Sequence, residues 1–187
     1  MGRYNSNNES HDNRHHYEEI SLDSNNSFQY FSRIEFGRYN TSGIWRIIGD
    51  TLLLTEEHPC FKEKIKVKEE HDAAVPKGTI RFSVTSLNGN LIDYNLVLTA
   101  KNKVKTESSR NGTIEIKVSH LYKFYFIVNS TLFSPEYVVQ SDRSNHFVVQ
   151  IADQRFIFNE KWIVRNGNII PIGWDNKYVN YHLRKVK

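Results

Sequence analysis

Apolar and polar residues change places every second position through most of this chain. Ile20 and Leu22 precede an Asp23-Ser24-Asn25-Asn26 turn; Phe28, Tyr30, Ile34 and Phe36 then share one face, with Gln29, Arg33 and Glu35 on the other. A period of two is the signature of a strand, because successive side chains leave a pleated backbone on opposite sides. Trp45 and Ile47 face together while Arg46 faces away, and Leu52 and Leu54 resume the apolar side beyond Gly49-Asp50. Phe61 to Glu70 reads as a further, charged strand, and Asp72 to Gly78 as a linker around Pro76. Alternation returns at Ile80, Phe82 and Val84, at Tyr94, Leu96 and Leu98, and at Ile114, Ile116 and Val118. Tyr122, Phe124, Phe126 and Val128 follow, then Tyr137 and Val139, then Phe147, Val149 and Ile151. After Asp153 come Phe156 and Phe158, a second Trp-led hairpin and a last strand expected from Tyr178 to Val186. Short strands separated by Asn-Gly turns predict an antiparallel sandwich for this middle stretch. No segment carries a helical stripe.

Two distant stretches read almost alike. Gly43-Ile44-Trp45-Arg46-Ile47-Ile48-Gly49-Asp50-Thr51-Leu52 and Lys161-Trp162-Ile163-Val164-Arg165-Asn166-Gly167-Asn168-Ile169 are each a Trp-led strand, a glycine turn and a second apolar strand. Hairpin loops of two residues need positions that tolerate positive φ, which Gly-Asp and Asn-Gly supply. If both hairpins serve one sheet, the middle of the chain is an insertion between its halves. The expected organisation is all-β: a disordered tail over 1–16, a discontinuous up-and-down barrel-like domain over 17–76 plus 153–187, and an inserted transthyretin/Ig-like β-sandwich over 77–152.

Composition narrows the function classes. The net charge of +4 arises from 25 Lys and Arg set against 21 Asp and Glu that largely alternate with them, so no broad phosphate-binding surface is implied. The one dense run, Lys62, Lys64, Lys66 and Lys68, falls on a single strand face and reads as a solvated face or a guarded sheet edge. No nucleic-acid partner is expected. Cys60 is the sole cysteine, which leaves no disulfide or CxxC pair. No apolar run reaches the roughly 20 residues of a transmembrane helix, and the polar start is unlike a signal peptide. The chain is thus expected in the periplasm or at the cell surface if a leader was removed, and otherwise in the cytoplasm.

Gly78-Thr79-Ile80-Arg81-Phe82-Ser83-Val84, Asn88-Gly89 before Leu91 to Leu98, and Asn111-Gly112-Thr113-Ile114-Glu115-Ile116 resemble the carboxypeptidase regulatory-like, transthyretin-like sandwich modules of bacterial envelope proteins. Ser108-Ser109-Arg110 stands where that family usually has Thr-Asp before the turn. The flanks, with Leu22-Asp23-Ser24-Asn25-Asn26-Ser27-Phe28, Gly43-Ile44-Trp45 and Gly49-Asp50-Thr51-Leu52, resemble lipocalin-like β-meanders of Bacteroidetes-type proteins. The resemblances imply binding or spacer modules, without a catalytic site or cofactor.

Candidate chemistry is sparse. His11, His15 and His16 have helical metal-ligand spacing, but nothing makes their segment helical. His58, Cys60 and His71 are too scattered to hold a metal without help from the fold. The acidic pairs Glu18-Glu19, Glu56-Glu57 and Glu69-Glu70 would point to opposite strand faces, which spoils them as acid–base partners. Ser119-His120 lacks an acid to orient the histidine. Phe28, Tyr30, Trp45 and Trp162 are candidates to line a ligand cavity in the barrel, the alternative being plain core. Trp174, in the turn-rich Pro171 to Asn176 loop, is either an exposed partner anchor or a lid folded back on the barrel.

The expected function is therefore a non-catalytic binding or adhesion-type module of the bacterial envelope contacting protein or glycan. The alternatives are a lipocalin-like carrier of a small apolar ligand and a cytoplasmic protein that neutralises a toxin or an enzyme. His and acidic side chains brought within hydrogen-bond reach in a cleft would reverse the expectation that the chain is not an enzyme.

Overall fold

Every regular element among the described residues is a strand. The computed structural model describes residues 1–6, 17–34, 37–57, 63–101, 103–118, 120–128 and 132–186. The first strands are β1 (Gly2–Asn5), β2 (Tyr17–Leu22), β3 (Ser27–Ile34), β4 (Gly37–Ile48) and β5 (Thr51–Glu56). The middle ones are β6 (Ile65–Glu70), β7 (Thr79–Ser86), β8 (Tyr94–Ala100), β9 (Lys103–Ser109), β10 (Thr113–Lys117), β11 (Leu121–Val128), β12 (Leu132–Phe133), β13 (Tyr137–Val138) and β14 (His146–Ile151). The last are β15 (Glu160–Arg165), β16 (Asn168–Ile170) and β17 (Arg184–Lys185). Two units result, one of residues Met1–Lys62 with Phe156–Lys187 and one of Glu63–Arg155.

In the first unit both Trp hairpins enter one eight-stranded sheet of order β16-β15-β5-β4-β3-β2-β1-β17. Their junction is the β5–β15 pairing, which sets Leu52 opposite Trp162. The β15–β16 turn has positive φ at both Asn166 (53°) and Gly167 (75°), the type I′ arrangement that matches strand twist. Ile169 and Leu183 exchange both backbone hydrogen bonds, at 3.0 and 2.7 Å, so the two ends of the sheet meet and it nearly closes as a barrel. Alternation sends Ile20, Phe28, Leu52, Leu54 and Trp162 into one cluster in which all are buried. Full burial of each such side chain is worth about 2–3 kcal/mol.

The second unit is a sandwich of a β10-β7-β14-β6 sheet and a second sheet of β12, β11, β8 and β9, with β13 also on β11. Residues of both sheets share a single core cluster. Its centre is aromatic: Phe82 lies edge-on to Phe124 (centroids 5.0 Å apart) and stacks on Phe147 (5.1 Å). Rings at these separations add about 0.5–1.5 kcal/mol per pair to the burial term.

Three features depart from the sequence reading. The first five residues are not a tail: β1 pairs with both β2 and β17, and Tyr4, opposite Ile20, packs against the barrel core. Residues 7–16 lie outside the described residues. β6 belongs to the sandwich rather than the barrel, because Ile65 and Val67 fall opposite Ile151 and Val149 and turn their apolar side to the sandwich core. The unit boundary therefore stands at 62/63 and not at 76/77. The sandwich is also not wholly antiparallel, since β14 runs parallel to β7. Between β7 and β14 the chain runs through β8 and β9 of the other sheet, back to β10 beside β7, and through β11 to β13 of the other sheet, which supplies the long crossover that a parallel pair requires.

Candidate functional site

Each adjacent acid pair is split between two environments by strand geometry. Glu18 is buried and accepts hydrogen bonds from Tyr30 Oη (2.6 Å) and Tyr181 Oη, whereas Glu19 turns outward to Arg3 (2.6 Å). Buried Glu56 accepts the Ile157 N–H at 2.7 Å, while Glu57 is exposed. Glu160 is a third buried carboxylate and accepts the Trp162 Nε1–H at 3.0 Å. A buried carboxylate is tolerated where donors such as these replace lost water.

Glu69 and Glu70 divide most consequentially. Glu69 accepts from Tyr137 Oη (3.0 Å), the Gln140 N–H (2.7 Å), the Ser141 N–H (3.1 Å) and Ser144 Oγ (2.7 Å). It thereby clasps the segment leading into β14 and joins β6 to β13 of the other sheet. Burial alone raises this carboxyl, but the donors at Gln140, Ser144, Tyr137 and Ser141 outweigh it and hold it below the usual carboxylate range. Burial, and then the hydrogen bond from its hydroxyl to Glu69, pushes the Tyr137 phenol up to about 12. Because the folded carboxyl titrates below the unfolded one, its contribution is complete above the ordinary carboxylate pKa of about 4.3 and is lost as pH falls through the folded value. Hydrogen-exchange protection of the Gln140 and Ser141 amides, corrected for intrinsic rates, is expected to drop across that acidic window. Glu69→Gln should lower it at neutral pH and remove the acid dependence.

Glu70 points to the outer face of the β10-β7-β14-β6 sheet and meets His146 there, whose far nitrogen meets Ser83. His146 Nδ1 lies 3.3 Å from Glu70 Oε2, and His146 Nε2 lies 3.0 Å from Ser83 Oγ. Lys68 Nζ holds the other carboxylate oxygen, Oε1, at 2.6 Å. That hydrogen bond is the first reason the Glu70 carboxyl sits below its ordinary range. Carboxylate, imidazole and hydroxyl thus form one chain across β6, β14 and β7. Beside it Arg81, opposite His146 in register, is held by Asp72 (2.9 Å) and Glu115 (2.7 Å). The sequence carries no local signal for this array, since its members come from three strands that only the sheet order makes neighbours.

The other outer face of the same sandwich has the opposite character. Rows Ser108–Asn95–Ile127–Phe133, Thr106–Val97–Tyr125 and Val104–Thr99–Lys123–Val138 cross it in register. Lys123 is the one charged residue at these paired positions, and Glu136 pairs with it at 3.0 Å. Val104 (68%), Val138 (56%), Tyr122 (52%) and Phe133 (41%) nevertheless stand open to solvent, and Tyr125 lies beside Phe133 with centroids 6.4 Å apart.

The remaining sequence candidates fall elsewhere. Phe28, Tyr30, Trp45 and Trp162 come together in the barrel cluster, with Tyr30 edge-on to Trp162 at 5.5 Å. Trp45 Nε1 and Tyr39 Oη are buried there without a hydrogen-bond partner among the described residues. Trp174 is 7% exposed and meets Phe156 edge-on at 5.7 Å, so it is not an exposed anchor. Its loop closes on itself through Gly173 N–H to Lys177 O (2.6 Å) and Val179 N–H to Pro171 O (3.1 Å), which draws the ring inward. Lys66 and Lys68 lie exposed on β6, an edge strand, as a guarded edge requires. His11, His15, His16, His58, Cys60 and Ser119 lie outside the described residues. His71 Nδ1 sits 3.1 Å from the Arg143 carbonyl. Among the described residues no three His, Cys, Asp or Glu side chains gather around a metal position, and no helix is long and apolar enough to cross a membrane.

No protein-family model, curated protein or solved structure matches the chain.

Proposed function

We propose that the chain is a non-catalytic binding module that engages a protein partner through the outer face of the β12-β11-β8-β9 sheet. The observation that carries this reading is the contrast between the two outer faces of one sandwich. The first spreads Lys66, Lys68, Glu70, Arg81 and Glu115 over its rows, as a solvated sheet does. The second leaves Val104, Tyr122, Phe133 and Val138 in water around one internally neutralised ion pair, Lys123–Glu136. Depletion of charge and enrichment of aromatics mark the centres of protein interfaces. The complementary partner presents an apolar surface of its own, because a highly charged ligand would meet no counter-charge here. The bacterial-envelope setting rests on the resemblance of the sequence alone.

A photo-crosslinking residue at Val138, compared with one at Lys66 on the charged face, tests the reading in source cells. The Val138 position is expected to give one discrete protein adduct that Lys66 does not. Phe133→Asp should cut its yield at least tenfold, since an aromatic hot spot is worth about 2 kcal/mol. Equal labelling from both faces, or a Val138 adduct indifferent to Phe133→Asp, would dismiss this face as the binding surface. Selective binding of glycans without a protein adduct would redirect the function to sugar recognition.

A further inference from the structure

We propose that Ser83 is a base-activated nucleophile that captures one acyl group from an activated ester. Three geometric facts carry the proposal. Ser83 Oγ lies 3.0 Å from His146 Nε2, within reach for transfer of the hydroxyl proton. The carboxylate of Glu70, 3.3 Å from Nδ1, favours the tautomer with its hydrogen on that nitrogen, in which the Nε2 lone pair faces the hydroxyl. Lys68 engages only Oε1 of Glu70, which keeps Oε2 turned to the ring. The order hydroxyl, imidazole, carboxylate is that of an activated-nucleophile array, whatever fold supplies it. A bare cross-strand Ser–His hydrogen bond would need no carboxylate behind it.

The same geometry limits what Ser83 does next. β7 is paired on both sides, with Ser83 opposite Thr113 and Val148, so its backbone N–H groups are engaged in the ladder and none is free to cradle an oxyanion. Amides and ordinary esters are therefore out of range, and the substrate class is the activated acyl donor, an aryl ester or a thioester. In the step, Oγ bonds to the acyl carbon and its proton passes to His146 Nε2. The bond to the leaving group breaks, its electron pair departs with the aryloxide or thiolate, and Nε2 returns the proton to it or to water. One acyl group per chain is captured without turnover, so the inference goes beyond the binding reading and does not depend on it.

The experiment treats the full folded chain with p-nitrophenyl acetate and follows acetylation of individual residues by peptide mass mapping. Ser108 serves as the internal reference: it is exposed on the other sheet, and its hydroxyl donates to Asn95 Oδ1 at 2.7 Å with no histidine beside it among the described residues. Ser83 is expected to acetylate at least tenfold faster than Ser108, below the roughly hundredfold or greater effect of a general base in a complete active site. The ratio should collapse to about one in urea. His146→Gln and Glu70→Gln should each lower the Ser83 rate while Ser108 stays unchanged. Equal rates at Ser83 and Ser108 in the native wild-type chain, or a Ser83 rate untouched by His146→Gln, would overturn the proposal. The native-to-urea ratio in the wild-type chain gives this answer even if a variant folds poorly.

Discussion

Gly43→Ala is expected to destabilise the barrel sheet by about 3 kcal/mol, at the upper end of what overpacking costs. Gly43 stands in β4 between two partners, opposite Phe28 on β3 and Glu56 on β5. A methyl group added there would lie 2.1 Å from the Thr55 carbonyl oxygen, 2.7 Å from Glu56 Cα and 2.8 Å from Phe28 Cε1. Two of those three atoms are backbone, and a ladder cannot give way by an ångström without breaking its hydrogen bonds. The Phe28 ring occupies the space that the missing side chain leaves, so it cannot swing aside without exposing a buried face. Hydrogen exchange of the β3, β4 and β5 amides is the direct measurement, with protection falling by about two decades for a loss of that size. Protection unchanged in those strands would mean that β3 and β5 do not close over Gly43 as described.

The glycine also shows how far a linear reading reaches. Alternation told which side of most strands is apolar, and so most members of both cores, because period two is a local property of the backbone; Ile47 and Tyr122, read onto those sides, instead stand 50% and 52% exposed. The likeness of the two Trp hairpins carried further and implied that distant segments share a sheet, as the Leu52–Trp162 pairing shows. Alternation does not name a strand's neighbour. Val67 and Ile65 required an apolar surface, and nothing in their order distinguished the barrel core from the sandwich core that they meet. β1 escaped notice because four residues with one large side chain, Tyr4, make no pattern. The rule that adjacent acids diverge was sound for Glu69 and Glu70. Its consequence was hidden, since His146 beside Glu70 and Ser83 beyond it are brought together by a parallel pairing that leaves no trace in spacing. Trp174 was undecidable from sequence because a Pro-Gly loop describes a turn and not the direction in which its ring points.

Phe82→Ala should be the most damaging substitution in the sandwich, at about 3–5 kcal/mol. The ring is fully buried and touches Phe124, Phe126 and Phe147, so it joins the two sheets at the centre of their common core. Truncation loses the transfer free energy of the ring and leaves a void walled by three other phenyl groups on paired strands, which cannot collapse into it. The effect is also legible on the outer face. Phe82 pairs with Phe147 across β7 and β14, one position before Ser83 and one after His146, so the packing that holds those strands in register also sets the Ser83–His146 distance. Chemical unfolding followed by hydrogen exchange in β7, β11 and β14 measures the stability loss. Phe82→Leu, which keeps most of the apolar volume, should recover more than half of it and restore whatever selectivity Ser83 shows toward activated esters over Ser108. A Phe82→Ala chain that keeps full protection in these strands would show that the aromatic cluster is not what joins the sheets, and the register of the Ser83–His146–Glu70 array would then depend on backbone pairing alone.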